Sequence, residues 1–123
     1  MRSEFVPEDG CPVSVVGLRT ELDLDPFDAP VDARIYIDYK NIGQKPIAAV
    51  KFRLRFVDDS GNNKGTFQAA DGTLVQPGEQ GSQKFRENRV YPNVSSVMAR
   101  VLTVKYLDGQ LWESTKATAA PAQ

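Results

Sequence analysis

Lys51, Arg53 and Arg55 stand two residues apart in the run 50–57, alternating with Val50, Phe52, Leu54 and Phe56. Residues at every second position of a strand share a face. The spacing therefore predicts a row of three cations on one side and an apolar row on the other. Such a row can grip an anionic partner through charge-assisted hydrogen bonds. Lys84 and Arg86 repeat the spacing and extend the row if their strand lies on the same sheet. A structural role competes with this one, because charges on an exposed sheet face or edge oppose aggregation. The acids between positions 21 and 28 also stand ready to neutralise the row. Both readings are open at this level.

Other chemistry is narrowed by what the composition lacks. The 123 residues hold no His and a single Cys, Cys11. Zinc sites built from imidazole and thiolate, an intramolecular disulfide, a Ser-His-Asp triad and a Cys-His dyad are thereby excluded. No glycine-rich phosphate loop follows a strand, and nothing in the spacing of the 16 acids selects a catalytic pair. The expectation is a protein that is not an enzyme, with no cofactor and no metal. Asp58, Ser60 and Asn62 alternate like the opening of a calcium loop, but its sixth position is Asn63 instead of Gly and its twelfth is Ala69 instead of Glu. Asp23, Asp25 and Asp28 around Pro26 read as a second solvated acidic loop. Carbohydrate binding needs exposed aromatic platforms. Tyr36 and Tyr91 are the candidates, since Trp112, just past a turn, is expected to cap the core. Cys11 reads as a small apolar residue entering the first strand.

The elements that must position these groups are strands. Ala33, Ile35, Ile37 and Tyr39 alternate with Arg34, Tyr36, Asp38 and Lys40, the signature of a half-buried strand. A third run, 98–107, alternates less cleanly, with Leu102, Val104 and Tyr106 expected inward. No window carries a helical apolar stripe. Asp108-Gly109 marks a hairpin, and Pro77-Gly78 suits the centre of a type II turn. Strands are expected at 12–19, 33–40, 47–57, 65–70, 80–87, 98–107 and 110–114. Seven short strands at this spacing predict an all-β fold, an antiparallel immunoglobulin-like β-sandwich. Residues 11–114 form the sandwich, with flexible tails at 1–10 and 115–123.

The run Ala33-Arg-Ile-Tyr-Ile-Asp-Tyr-Lys-Asn-Ile-Gly43, followed by 47–58, resembles the strand, Asn-x-Gly, strand opening of small bacterial immunoglobulin-like domains. Among these the FxLYD-type group is similar, and Pro77-Gly-Glu79 leading to Phe85 resembles its turn into a core strand. The name's Phe-x-Leu-Tyr-Asp becomes Phe52-Arg-Leu54-Arg55-Phe56-Val57-Asp58 here. The resemblance implies a non-catalytic module of the cell envelope, periplasmic or at the cell surface, and carries over no binding residue. No targeting signal precedes Cys11.

Charge favours a protein partner. Lys and Arg total 15 against 16 Asp and Glu, a net charge of −1. That balance argues against a generic nucleic-acid binder, and the apolar runs are too short to span a membrane. Residues 1–32 carry eight acids and two bases, residues 33–64 three acids and seven bases. Such polarity suits a steered contact with another protein. The expected function is protein–protein interaction through Lys51, Arg53, Arg55, Lys84, Arg86 and Tyr91. The alternatives are a small-ligand or carbohydrate-binding domain, and a structural spacer. Oligomeric state is not legible in the sequence.

Overall fold

Eight strands carry the chain: β1 (Arg2–Phe5), β2 (Val13–Leu24), β3 (Pro30–Asn41), β4 (Ile47–Val57), β5 (Asn63–Asp71), β6 (Gln80–Glu87), β7 (Ser96–Tyr106) and β8 (Leu111–Glu113). The structure is a computed structural model and describes residues 2–88, 90 and 93–115. The smaller sheet has the order β2-β3-β6, and the larger has the order β1-β7-β4-β5. All pairings are antiparallel except β1 with β7. β8 shares the β7 edge with β1: β1 lies against Ser96–Ala99 and β8 against Thr103–Lys105. The two sheets close on a common core, which makes the chain an all-β sandwich.

The alternation read from the sequence is what builds that core. Ile35, Ile37 and Tyr39 of β3 and Phe52, Leu54 and Phe56 of β4 are all buried. Tyr39 meets Phe52 edge-on with ring centroids 5.6 Å apart, and Phe56 lies 5.6 Å from Phe67 of β5. Burial of each large side chain contributes on the order of 1.5–3 kcal/mol. Trp112 packs partly buried against this cluster, as does Cys11, whose thiol burial pushes up in pKa.

Two expectations need correction. Residues 2–5, assigned to a tail, form β1: Ser3 donates its hydroxyl to Thr20 Oγ1 at 2.9 Å and Phe5 packs on the core. Leu102 does not continue the inward row of β7. The β4–β7 register slips between Lys51 and Phe52, leaving Leu102 as the extra residue of a bulge. Val97, Ala99 and Val101 point inward before the bulge and Val104 after it, all buried. That reset of phase is why the run alternates poorly in the sequence. Residues 116–123 of the expected C-terminal tail lie outside the described residues.

Polar joints lock the two sheets together. The Tyr39 hydroxyl on β3 donates to Asp71 Oδ2 on β5 at 2.6 Å, and Gln83 Nε2 on β6 reaches Asp71 Oδ1 at 3.2 Å. Thr73 adds its backbone N–H and its hydroxyl to the same oxygen. Burial alone would push the Asp71 carboxyl up, but these four donors hold it below the ordinary carboxylate value. Burial and the Asp71 bond push the Tyr39 phenol up. Gly81 leaves room for the phenol, since a Cβ there would stand 2.7 Å from Tyr39 Cζ. Asn41, wholly buried, holds the β3–β4 loop: its Nδ2 donates to the carbonyls of Lys45 and Val75, and its Oδ1 accepts from Gly43 N.

Phe52→Ala is expected to cost roughly 3–5 kcal/mol, read from the midpoint of urea unfolding; an unchanged midpoint would mean that the inward face of β4 is misassigned. Asp71→Asn is expected to cost about 1–3 kcal/mol near neutral pH, because buried donors lose an ionised acceptor. A depressed carboxylate stabilises the fold above its unfolded value of ~3.9 and loses that contribution as pH falls through the lower folded value. The gap between wild type and variant should therefore narrow as unfolding is repeated from pH 5 down to about pH 2; a gap independent of pH would refute the assignment.

Candidate functional site

β4 lies between β7 and β5, so its outward side chains occupy the middle of a sheet face. Lys51 stands opposite Thr103 and Ala70, Arg53 opposite Arg100 and Gln68, and Arg55 opposite Met98 and Thr66. The row predicted from the sequence is therefore real, and β7 adds a fourth cation, Arg100. Arg53, Arg55 and Arg100 wall a hollow of about 40 Å³ together with Val6, Met98 and Ala99.

Two guanidinium groups placed directly across a ladder repel one another. Burial first, and then the charges of Arg55 and Arg100, draw the Arg53 guanidinium below its ordinary pKa. Nε and Nη2 of Arg55 and Nη1 of Arg100 are buried without a hydrogen-bond partner among the described residues. Glu8 Oε1 forms a long ion pair with Arg100 Nη1 at 3.8 Å, beyond hydrogen-bond range. Both Glu8 oxygens are engaged elsewhere, by the Ser114 hydroxyl and the Thr115 N–H.

The outer face of the smaller sheet is arranged differently. Arg19 pairs with Glu21 at 2.7 Å, Arg34 with Asp23 at 2.9 Å, and Arg86 with Asp32. The Asp23 charge raises the pKa of Arg34, the opposite of what befalls Arg53. Arg86 thus lies on the other sheet, and so does Lys84, on the same strand β6. Neither extends the β4 row. The acids of positions 21 and 23 pair with Arg19 and Arg34 of the smaller sheet.

The remaining candidates fall apart as sites. Arg19 covers the Tyr36 ring at 4.2 Å, and Tyr91 lies outside the described residues. Asp58 Oδ1 accepts the backbone N–H groups of Ser60 and Asn62, and Asp25 Oδ1 those of Phe27 and Ala29. Those carboxylates hold their own turns. Bonds from Asn62 foremost keep the Asp58 carboxyl below its ordinary value. No cluster of metal-ligating side chains occurs among the described residues, and no helix there is long and apolar enough to cross a membrane.

Sequence reasoning missed Arg100 for an identifiable reason. Placing Leu102 inward puts Arg100, two residues earlier, inward as well. The bulge at 102 reverses that parity. The one available signal was the flanking pair Ala99 and Val101, both apolar, which alternates with Arg100 as Phe52 and Leu54 do with Arg53.

A scan against protein-family models finds no match, and neither does a search of curated proteins. Among solved structures, a protein of Peptoclostridium difficile 630 described as hypothetical aligns with a TM-score of 0.62 at 10% identity, over 91% of this chain and 91% of that one. A candidate ApaA protein of Bordetella pertussis aligns at a TM-score of 0.47 and 11% identity, over 84% of this chain and 88% of that one, too loosely to inform the fold.

Arg55→Met is expected to raise the melting temperature, because it removes buried unsatisfied donors worth about 1–3 kcal/mol and eases the crowding of like charge. A calorimetric scan showing a fall of several degrees would mean that Arg55 is satisfied in solution. At their present similarity the comparisons establish one thing about this chain, a β-rich fold shared with the Peptoclostridium difficile protein.

Proposed function

We propose that this chain is a non-enzymatic immunoglobulin-like module of the bacterial cell envelope, which binds an acidic protein partner on the outer face of its larger sheet. Counted from β2, the first, second and fifth strands share one sheet, and the third, fourth, sixth and seventh share the other. That division supports an immunoglobulin-like arrangement in which the fourth strand sits beside the third. The envelope location rests on the resemblance carried by the Asn41-x-Gly43 and Pro77-Gly-Glu79 turns.

One observation carries the reading. The smaller sheet pairs Arg19, Arg34 and Arg86 with carboxylates, although Arg34 Nε and Asp32 Oδ1 stay without a hydrogen bond, whereas the larger sheet sets Arg53 directly against Arg100 and gives neither Arg55 Nε nor Nη2 a partner among the described residues. A fold selected only for stability gains nothing from such crowding. A surface that meets an anionic partner regains the cost on binding, and complementary charge also speeds the encounter. A carbohydrate platform is less well supported, because Arg19 already occupies one face of Tyr36.

The test is affinity capture from envelope and cytosolic fractions with three baits: wild type, Arg53→Glu/Arg55→Glu, and Lys84→Glu/Arg86→Glu. A protein held by wild type and by the β6 variant but lost by the β4 variant is the expected result. Equal capture by all three would move the contact to another surface. Empty capture from both fractions would favour the spacer.

A further inference from the structure

We propose that the hollow walled by Arg53, Arg55 and Arg100 is a receptor for a single carboxylate, presented by an Asp or Glu side chain of the protein partner. The inference rests on the reading of this sheet face as a protein-binding surface, and it names the chemical group recognised there.

The donor atoms are the first reason. Nε and Nη2 form the side-on edge of a guanidinium, the pair that meets a carboxylate in parallel. At Arg55 both atoms lack a partner among the described residues. At Arg86 the same two atoms hold the carboxylate of Asp32, at 2.9 Å from Nε and 2.5 Å from Nη2. At Arg86 both atoms converge on a single oxygen, Asp32 Oδ2, so the same guanidinium edge is engaged on the smaller sheet and left without a hydrogen-bond partner on the larger one. Arg100 Nη1, 3.8 Å from Glu8 Oε1, adds a third donor without a hydrogen bond on the same hollow.

The lining favours a carboxylate over a phosphoryl group. A phosphoryl group has more atoms and is commonly cradled by backbone N–H groups. Here the flanking stretches of β4 and β7 pair residue by residue, so the donors on offer are side chains. Val6, Met98 and Ala99 give the hollow apolar walls against which the methylene of an acidic side chain can rest.

The experiment titrates the whole chain with a hexaglutamate peptide, following the arginine Nε–Hε resonances by NMR. A hexaglutamine peptide, a phosphoserine peptide and inorganic phosphate serve as comparison probes. Saturable shifts at Arg53, Arg55 and Arg100 with hexaglutamate, and none with hexaglutamine, are expected. Arg55→Lys keeps the charge and removes the fork, and should weaken binding about tenfold, the worth of one charge-assisted hydrogen bond. Arg34→Gln on the smaller sheet should leave affinity unchanged. Unaltered affinity in Arg55→Lys would overturn the carboxylate receptor in favour of diffuse attraction, and tighter binding of phosphate or phosphoserine would overturn it in favour of a phosphate site. A cellular partner lost on reversing Arg53 and Arg55 but kept by Arg55→Lys would refute the receptor while the protein-binding face stands. Hexaglutamate bound at Arg55 with no protein captured from either fraction would refute the partner and uphold the receptor.

Discussion

The hydrogen bond from Tyr39 to Asp71 is the joint between the two sheets. Tyr39 belongs to β3 of the smaller sheet and Asp71 to the end of β5 in the larger one, and Gln83 of β6 ties the same carboxylate back to the smaller sheet. Apolar burial between sheets is non-directional, so it brings the layers together without choosing how far one slides along the other. A buried carboxylate does choose, since an unsatisfied one costs far more than a paired one returns. Asn41 performs the same office nearby, joining the end of β3 to the carbonyls of Lys45 and Val75. With those joints made, β4 lies in the middle of its sheet with one face wholly committed to the core.

That commitment is what exposes the cation row. Phe52, Leu54 and Phe56 are required inside, so pleating turns Lys51, Arg53 and Arg55 outward. The pairing of β4 with β7 then sets Arg100 directly against Arg53. The acidic opening of the chain does not reach this face in numbers. Its carboxylates at 21, 23 and 32 are drawn to Arg19, Arg34 and Arg86 by the β2–β3–β6 ladder. A chain with a net charge of −1 thereby crowds Arg53, Arg55 and Arg100 on one face, with Arg55 Nε and Nη2 lacking a hydrogen-bond partner among the described residues.

The first and last strands show how the fold manages an incomplete edge. β8 is three residues long and covers only part of β7, while β1 takes the remainder by pairing in parallel. Glu8 stands where the two meet, accepting from Ser114 and Thr115 and forming a long ion pair with Arg100. A long bare strand edge invites association with other chains, and the shared cover over β7 removes most of that edge.

Local chemistry was legible in the residues themselves. The alternation of β3 and β4 announced their buried rows, and β4 and β6 run over the ranges expected. Asp108-Gly109 and Pro77-Gly78 marked their turns, and both glycines take the left-handed φ those turns need. Three features escaped: β1, the bulge at Leu102, and with the bulge the outward Arg100. Each depends on a partner strand far away in sequence. Three polar residues and one Phe cannot announce a strand whose ladder partner is the edge of β7, some ninety residues further along. An extra residue in a ladder is defined only against the strand it fails to match. Charge balance has the same origin: the composition sets the net charge, but which carboxylate meets which guanidinium follows from sheet assignment. The sequence by itself determined the strands and which of their faces are apolar, because pleating is a local property of the backbone. Only the tertiary structure decided which cations are neutralised and which are left crowded, because electrostatic pairing acts over a few ångströms between strands that the chain keeps far apart.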